Sequence, residues 1–363
     1  MPQSELSFVS RSLAAISEFS ASLPQADLFA ALGLFSLVVL SALLLFLAIR
    51  FAFKISHSWH QLASLRAMRI DDTPGLKIMV ARMDGTQGMS LRKNVLHALE
   101  HFLPEFNFGA PFYLGSFPVK FEVSDIALSG AEIHRLQDIF KKSNADLIVW
   151  GEARGRVDET TLCFATPRPS DKTKGIEFFP VTFKGSASSW GEKDYRALAY
   201  VAGRRLRPSL GKPADFRAER LQPIVRSMEK LLESESVLTG RSKTELEDDF
   251  AAGALHIGEQ LKDIEWLEKS VDFRQRSLES LQQGEQPLRW AQAKIDLGRA
   301  LMHQCEYRFE PIKLQDAMKH LREGIDSTKN DAHMRLTETG IAALQQAETM
   351  LANRRRFSIR WNV

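Results

Sequence analysis

The chain has 363 residues, 44% of them hydrophobic and 26% charged, with a formal net charge of +3. That length leaves room for two domains of ~100 to 150 residues beside a short extra segment, and the composition excludes global disorder. The small net charge gives no basic stripe of the kind a dedicated nucleic-acid binder concentrates, so no nucleic acid is expected as a partner. Cys163 and Cys305 stand far apart without a CxxC pair or Cys/His cluster, which excludes a disulfide framework and a zinc-finger pattern and fits a reducing compartment.

Residues 1–26 form an N-terminal tail in which Leu6, Val9, Leu13, Ile16 and Leu23 recur at helical spacing. An amphipathic surface helix and a mobile tail are both open readings of it. Leu28 to Ile49 contains no charged residue, and at ~1.5 Å per residue it matches the ~30 Å of a hydrocarbon core. The expectation is a single transmembrane helix over 27–53, with the lipid bilayer as a partner. A cleaved signal peptide fits poorly, because Glu5, Glu18 and Asp27 oppose Arg11 alone and no small-x-small site closes the run. Arg50, Lys54, Arg66 and Arg69 follow the apolar run, which predicts an inner-membrane, single-pass protein with its C-terminal domains in the cytoplasm.

A juxtamembrane linker over 54–75 ends at Asp71, Asp72, Thr73, Pro74 and Gly75, a turn-forming break. From there an α/β domain is predicted over 76–207. Strands are read at 76–83, 119–123, 146–151, 160–166 and 178–183, with helices at 91–103 and 131–143, giving a mixed sheet. After Pro208 almost every segment carries helical periodicity, so 213–356 reads as an all-α domain, followed by a basic tail over 357–363. Gly258, Gly298 and Gly340 recur at spacings of 40 and 42, each inside an Ala- and Leu-rich helix. Glycine inside a helix costs ~1 kcal/mol relative to alanine, so its recurrence asks for a close helix-to-helix approach, and stacked hairpins supply one.

The stretch LEKSVDFRQRSL at 267–278, then PLRWA at 287–291 and LGRAL at 297–301, resembles the tetratricopeptide repeats of bacterial proteins. The likeness continues through AMKHLREGI at 317–325, where Ala317 and Leu321 match the small and large packing residues of a second helix, and it covers about 250–355. The run ADLIVWGE at 145–152, after strand, helix, strand and helix, resembles the α/β domain that precedes such repeats in membrane-anchored bacterial proteins. The repeats here exceed the usual ~34-residue period, and residues 305–315 are expected to lengthen one hairpin turn. The resemblance implies a groove lined by first-helix residues, namely Leu255, Glu259, Lys262, Gln292, Ile295, Arg299 and Met302, which mix charge with apolar surface and suit a protein or peptide ligand.

Three other patterns carry chemistry. His97, Glu100 and His101 match the H-x-x-E-H order of inverted zinc peptidases, in which two histidines one turn apart hold zinc. On a helical wheel they lie opposite the apolar face of Leu91, Val95, Leu99 and Phe102, which favours a solvated helix face. The turn of Asp84, Gly85, Thr86, Gln87 and Gly88 follows a strand and could cradle phosphate, yet it lacks the Gly-Lys-Ser/Thr ending of a P-loop, and Arg82 stands where an aspartyl phosphotransferase carries its first Asp. Arg354, Arg355 and Arg356 read either as contacts to anionic headgroups or as a basic helix end complementing its own dipole. The resulting expectation is a membrane-anchored cytoplasmic scaffold, not an enzyme and without a cofactor, that binds a protein partner. The rival reading is an enzyme or a nucleotide or metal sensor housed in the α/β domain.

Overall fold

The computed structural model describes residues 25–70, 74–124, 126–153, 159–167, 175–233, 237–328 and 334–360. The readings placed on the tail over 1–24, on the side chains of Arg354, Arg355 and Arg356, and on the side chains of the basic tail fall outside the described residues. The chain divides into two compact units, 1–63 and 64–363.

In the first unit the helix α1 (Gln25–Ile70) presents exposed apolar side chains, among them Phe35, Leu40, Leu44 and Phe51. The transmembrane helix expected over 27–53 is corrected here, since among the described residues no helix is long and apolar enough to cross a membrane. The inner-membrane, cytoplasm-facing placement rested on that helix and is withdrawn with it.

The second unit opens with the last turns of α1, whose Leu65 and Met68 are buried. The Lys77 ammonium donates to the Met68 carbonyl at 2.7 Å, satisfying a carbonyl that the helix end leaves unpaired. The mixed sheet follows: β1 (Leu76–Val80), β2 (Phe112–Ser116), β3 (Leu147–Ala153), β4 (Glu159–Pro167) and β5 (Ile176–Lys184), in the order β2-β1-β3-β4-β5. β1 runs parallel to both β2 and β3, with Ile78 opposite Leu114 and Leu147, while β3–β4 and β4–β5 are antiparallel. Covered on both faces, β1 and β3 are near-continuous apolar runs in place of an alternating pattern.

Between β1 and β2 lies α2 (Gly88–Phe106), and between β2 and β3 lies α3 (Gly130–Ser143). Ser129 caps α3 by accepting from the Glu132 amide, and Asn144 ends it at φ 56°. The two helices cover opposite faces. Leu91, Val95 and Leu99 of α2 join Ile78, Val80 and Val149 in one core, whereas Leu136, Ile139 and Phe140 of α3 join Met79, Ile148 and Trp150 in the other. The strand expected at 119–123 does not form. Its period-two pattern comes from Phe117, Val119 and Phe121, which insert beneath α3 from an extended segment outside the sheet ladder, while the pairing strand lies earlier, at β2.

Seven further α-helices are described: α4 (Glu192–Leu206), α5 (Ala218–Leu232), α6 (Gly240–Leu261), α7 (Ile264–Ser280), α8 (Pro287–Tyr307), α9 (Pro311–Thr328) and α10 (Met334–Arg360). One core runs without interruption from Phe164 and Phe183 of the sheet through Leu198 of α4 and Ile224 of α5 to Phe250 and Trp266. From α6 onward the architecture is repeat-like, with α6/α7 and α8/α9 as hairpins and α10 packed on the second. The α6/α7 turn closes on Lys262 at φ 51°, and Asp263 caps α7 by accepting from the Glu265 amide at 3.0 Å. Residues 305–315 do not lengthen a turn, because the α8/α9 connection is only Arg308 to Glu310 and the extra length sits in the helices.

The recurring glycines sit where helices touch. A Cβ at Gly258 would meet the Leu267 side chain at 2.7 Å, one at Gly298 would meet Leu321 at 2.6 Å and the Ala317 carbonyl oxygen at 2.8 Å, and one at Gly340 would meet Ile325 at 2.8 Å. In the first two cases the facing helix is the partner in the same hairpin.

Candidate functional site

The first helices α6, α8 and α10 lie side by side, so residues just past each recurring glycine converge. Glu259 follows Gly258 and Arg299 follows Gly298, and the Arg299 guanidinium donates to the Glu259 carboxylate at 2.6 Å. One turn beyond Arg299, His303 stands with Nε2 3.3 Å from Glu259 and Nδ1 3.2 Å from Glu306. The Gln346 amide of α10 donates to Glu306 at 2.9 Å and joins the third helix to the network. A pocket of ≈ 300 Å³ opens here, walled by Glu259, Arg299, Met302 and His303 on one side and by Thr339, Ala342, Ala343 and Gln346 on the other.

Charge in this pocket is held in a fixed pattern. Burial opposes ionisation of Glu259, but the hydrogen bond and charge of His303 and the Arg299 guanidinium hold its pKa below the ordinary value. Burial also opposes protonation of His303, yet the Glu259 and Glu306 carboxylates raise its pKa above the ordinary 6.5. The wall therefore alternates acid, base and acid around the small side chains of α10.

Of the seven residues expected to line a groove, Glu259, Arg299 and Met302 meet in this pocket. Leu255, Ile295 and Met302 are at most 2% exposed, so the first two lie under the surface in the helix core and Met302 meets the pocket from its floor. Helical periodicity identifies the first helix but not which of its faces the second hairpin covers. Gln292 lies a turn and more away, where its amide donates to buried Asp296 at 2.8 Å, and Lys262 is the exposed left-handed residue ending α6. His303 and Gln346 were missed, although the four-residue step from Arg299 and from Ala342 puts each on the same helix face.

The network continues into the core. Arg274 of α7 is 3% exposed and donates to Asp248 and to Asp296, both at 2.7 Å. Arg289 holds the other Asp248 oxygen at 2.6 Å. These pairs fasten α6, α7 and α8 together and supply no open chemistry.

In the sheet region His97, Glu100 and His101 are exposed on α2, the two imidazoles 4.4 Å apart and His97 against Tyr195 at 4.9 Å. Among the described residues no group of three or more His, Cys, Asp or Glu side chains could hold a metal ion. Asp84 is closed by Lys120 at 2.5 Å and by the Gly85 amide at 2.9 Å, and its pKa is lowered first by that Lys120 bond. Gly85, at φ 86°, could not carry a Cβ, which would meet the Ala153 carbonyl oxygen at 2.1 Å. Comparison with family models, with curated proteins and with solved structures returns no match.

Proposed function

We propose that the protein is a scaffold that takes a segment of a protein partner into the pocket formed by α6, α8 and α10, in the manner of the tetratricopeptide repeats its helices resemble. The observation that carries this reading is the pocket itself: three successive first helices contribute its walls, and charged groups of both signs border a floor of Met302 and Ala343. Such a surface favours a ligand that sets an apolar side chain beside a charged one, since complementary charge fixes register while the apolar contact supplies burial.

Ala342→Trp tests this, because Ala342 is exposed at the rim of the pocket and a bulky side chain there fills the space without entering the core. A random peptide library displayed on phage is panned against the purified full-length protein, and the enriched peptides are measured against both forms. Peptides that bind the native protein and lose affinity on the order of tenfold or more on Ala342→Trp support the groove, as expected for a blocked central contact. Peptides that bind both forms equally, or a library that yields no enrichment, refute it.

A further inference from the structure

The parallel strands β1, β2 and β3 end at one edge of the sheet, and there the chain leaves in two directions. After β1 it passes to α2 on one face, and after β2 it passes beneath α3 on the other. Open α/β sheets bind ligands outside the carboxyl ends of parallel strands at such a divergence.

Two arginines occupy this edge. Arg82 follows β1 and is exposed, its amide donating to the Val119 carbonyl at 3.0 Å. Arg92, on α2, is half-buried and reaches the last residue of β2, donating through Nη2 to the Ser116 hydroxyl. Its Nε is buried and has no hydrogen-bond partner among the described residues. Neither guanidinium has a carboxylate within ion-pair distance among the described residues. Burial, and then the charge of Arg82, lower the pKa of Arg92, as expected of a partly buried cation with a second cation nearby.

Six other arginines, Arg196, Arg204, Arg205, Arg274, Arg289 and Arg299, each rest on a carboxylate, and half-buried Arg207 donates to the Asn107 side-chain oxygen. Asp84 feels the charge of Arg82 but forms its ion pair with Lys120, which leaves both guanidinium groups without a carboxylate in direct contact among the described residues. A partly buried cation without a counter-ion is costly, and proteins retain it where a ligand supplies the charge. The first turn of α2 adds no acid and no side-chain cap that would compete for an anion.

We propose that Arg82, Arg92 and Ser116 form a binding site for the phosphoryl group of a small ligand, separate from the helical groove and independent of it. Two planar forks and a hydroxyl match the several oxygens and double charge of a phosphoryl group. Exposure of Arg82 leaves the body of the ligand outside, towards solvent.

The test is calorimetric titration of the full-length protein with inorganic phosphate, pyrophosphate and ADP at constant ionic strength. Saturable one-to-one binding of at least one probe is expected. Arg82→Gln and Arg92→Gln should each weaken it on the order of tenfold or more, the loss typical of a hydrogen bond to a charged group. Lys142→Gln, which removes an exposed cation of α3, should leave it unchanged. ADP and pyrophosphate binding alike would show that the phosphoryl groups alone are read, and tighter ADP would show that the ligand body adds contacts. Because Arg82 is exposed, its variant should melt as the native protein does, so loss of binding there cannot be loss of fold. Absence of saturable binding with all three probes, or equal affinity in native protein and both arginine variants, overturns the proposal. Ala342→Trp should leave phosphate binding intact, so failure of one site is read separately from failure of the other.

Discussion

Gly298→Ala puts the helix-contact argument at risk with a single methyl group. Alanine is the better helix former by ~1 kcal/mol, so in an open helix the change would stabilise. Here the new Cβ would lie 2.6 Å from Leu321 Cγ and 2.8 Å from the Ala317 carbonyl oxygen. The leucine has little room to turn, being fully buried among Ile295, Leu314 and Met318, and a backbone oxygen moves only if α9 moves with it. Overpacking of this kind costs ~1 to 3 kcal/mol, and a contact with backbone belongs near the upper end. The net expectation is destabilisation by ~1 to 2 kcal/mol, growing in Gly298→Leu. Urea unfolding of the full-length protein, followed by far-ultraviolet circular dichroism, measures it as a lower midpoint at unchanged slope. Gln345→Ala, an exposed change on α10, is the control. Gln292→Ala is not a suitable one, since it would strip a hydrogen bond from buried Asp296. A midpoint for Gly298→Ala equal to or above the native one would refute the close-approach explanation of the recurring glycines.

Arg274→Met should cost ~3 to 5 kcal/mol, because it takes from Asp248 and buried Asp296 the cation they share. Adding Asp296→Asn should recover part of that loss in the same urea assay, and no recovery would mean that packing, not charge, was removed. His303 gains its two carboxylate neighbours on folding, so its folded pKa lies above its unfolded one and its contribution is full below about pH 6.5. That contribution is lost as pH rises through the raised folded value. His303→Gln should flatten the stability profile in that window, with Glu259 and Glu306 as the charged groups against the ring, and a profile unchanged by the substitution would contradict the assignment. His97→Ala combined with His101→Ala should leave both the melting midpoint and the zinc content of purified protein unchanged, as measured by calorimetry and metal analysis. Loss of one equivalent of zinc in the double variant would restore the peptidase pattern as a site.

The sequence by itself determined the local elements. The helices read at 91–103 and 131–143 and the three glycines at matching places each follow from patterns a few residues long, and each is found where periodicity put it. The apolar runs at β1 and β3 were equally legible, since a strand covered on both faces must be apolar throughout. Alternation alone misled at 119–123, because burial under α3 and pairing in a sheet write the same period-two pattern and only the ladder separates them. The span read over 27–53 rested on the missing charges alone, and among the described residues no helix is long and apolar enough to cross a membrane.

Which side chains of a recognisable helix remain at a surface depends on how neighbouring helices pack. Leu255 and Ile295 each share a helix with pocket residues yet are buried, Leu255 against Leu267 and Ala300 and Ile295 against Gly324 of α9 and Gly340 of α10. The same holds at the sheet edge, where Arg82 and Arg92 are ten positions apart and unremarkable in sequence. They share the sheet edge because the parallel crossover carries α2 back past the end of β1, which Arg82 follows, and Asp84 is taken by Lys120 from a loop thirty-six residues away. Charge neutralisation is a property of neighbours in space, so no count of charges along the chain could have shown where a counter-ion is missing.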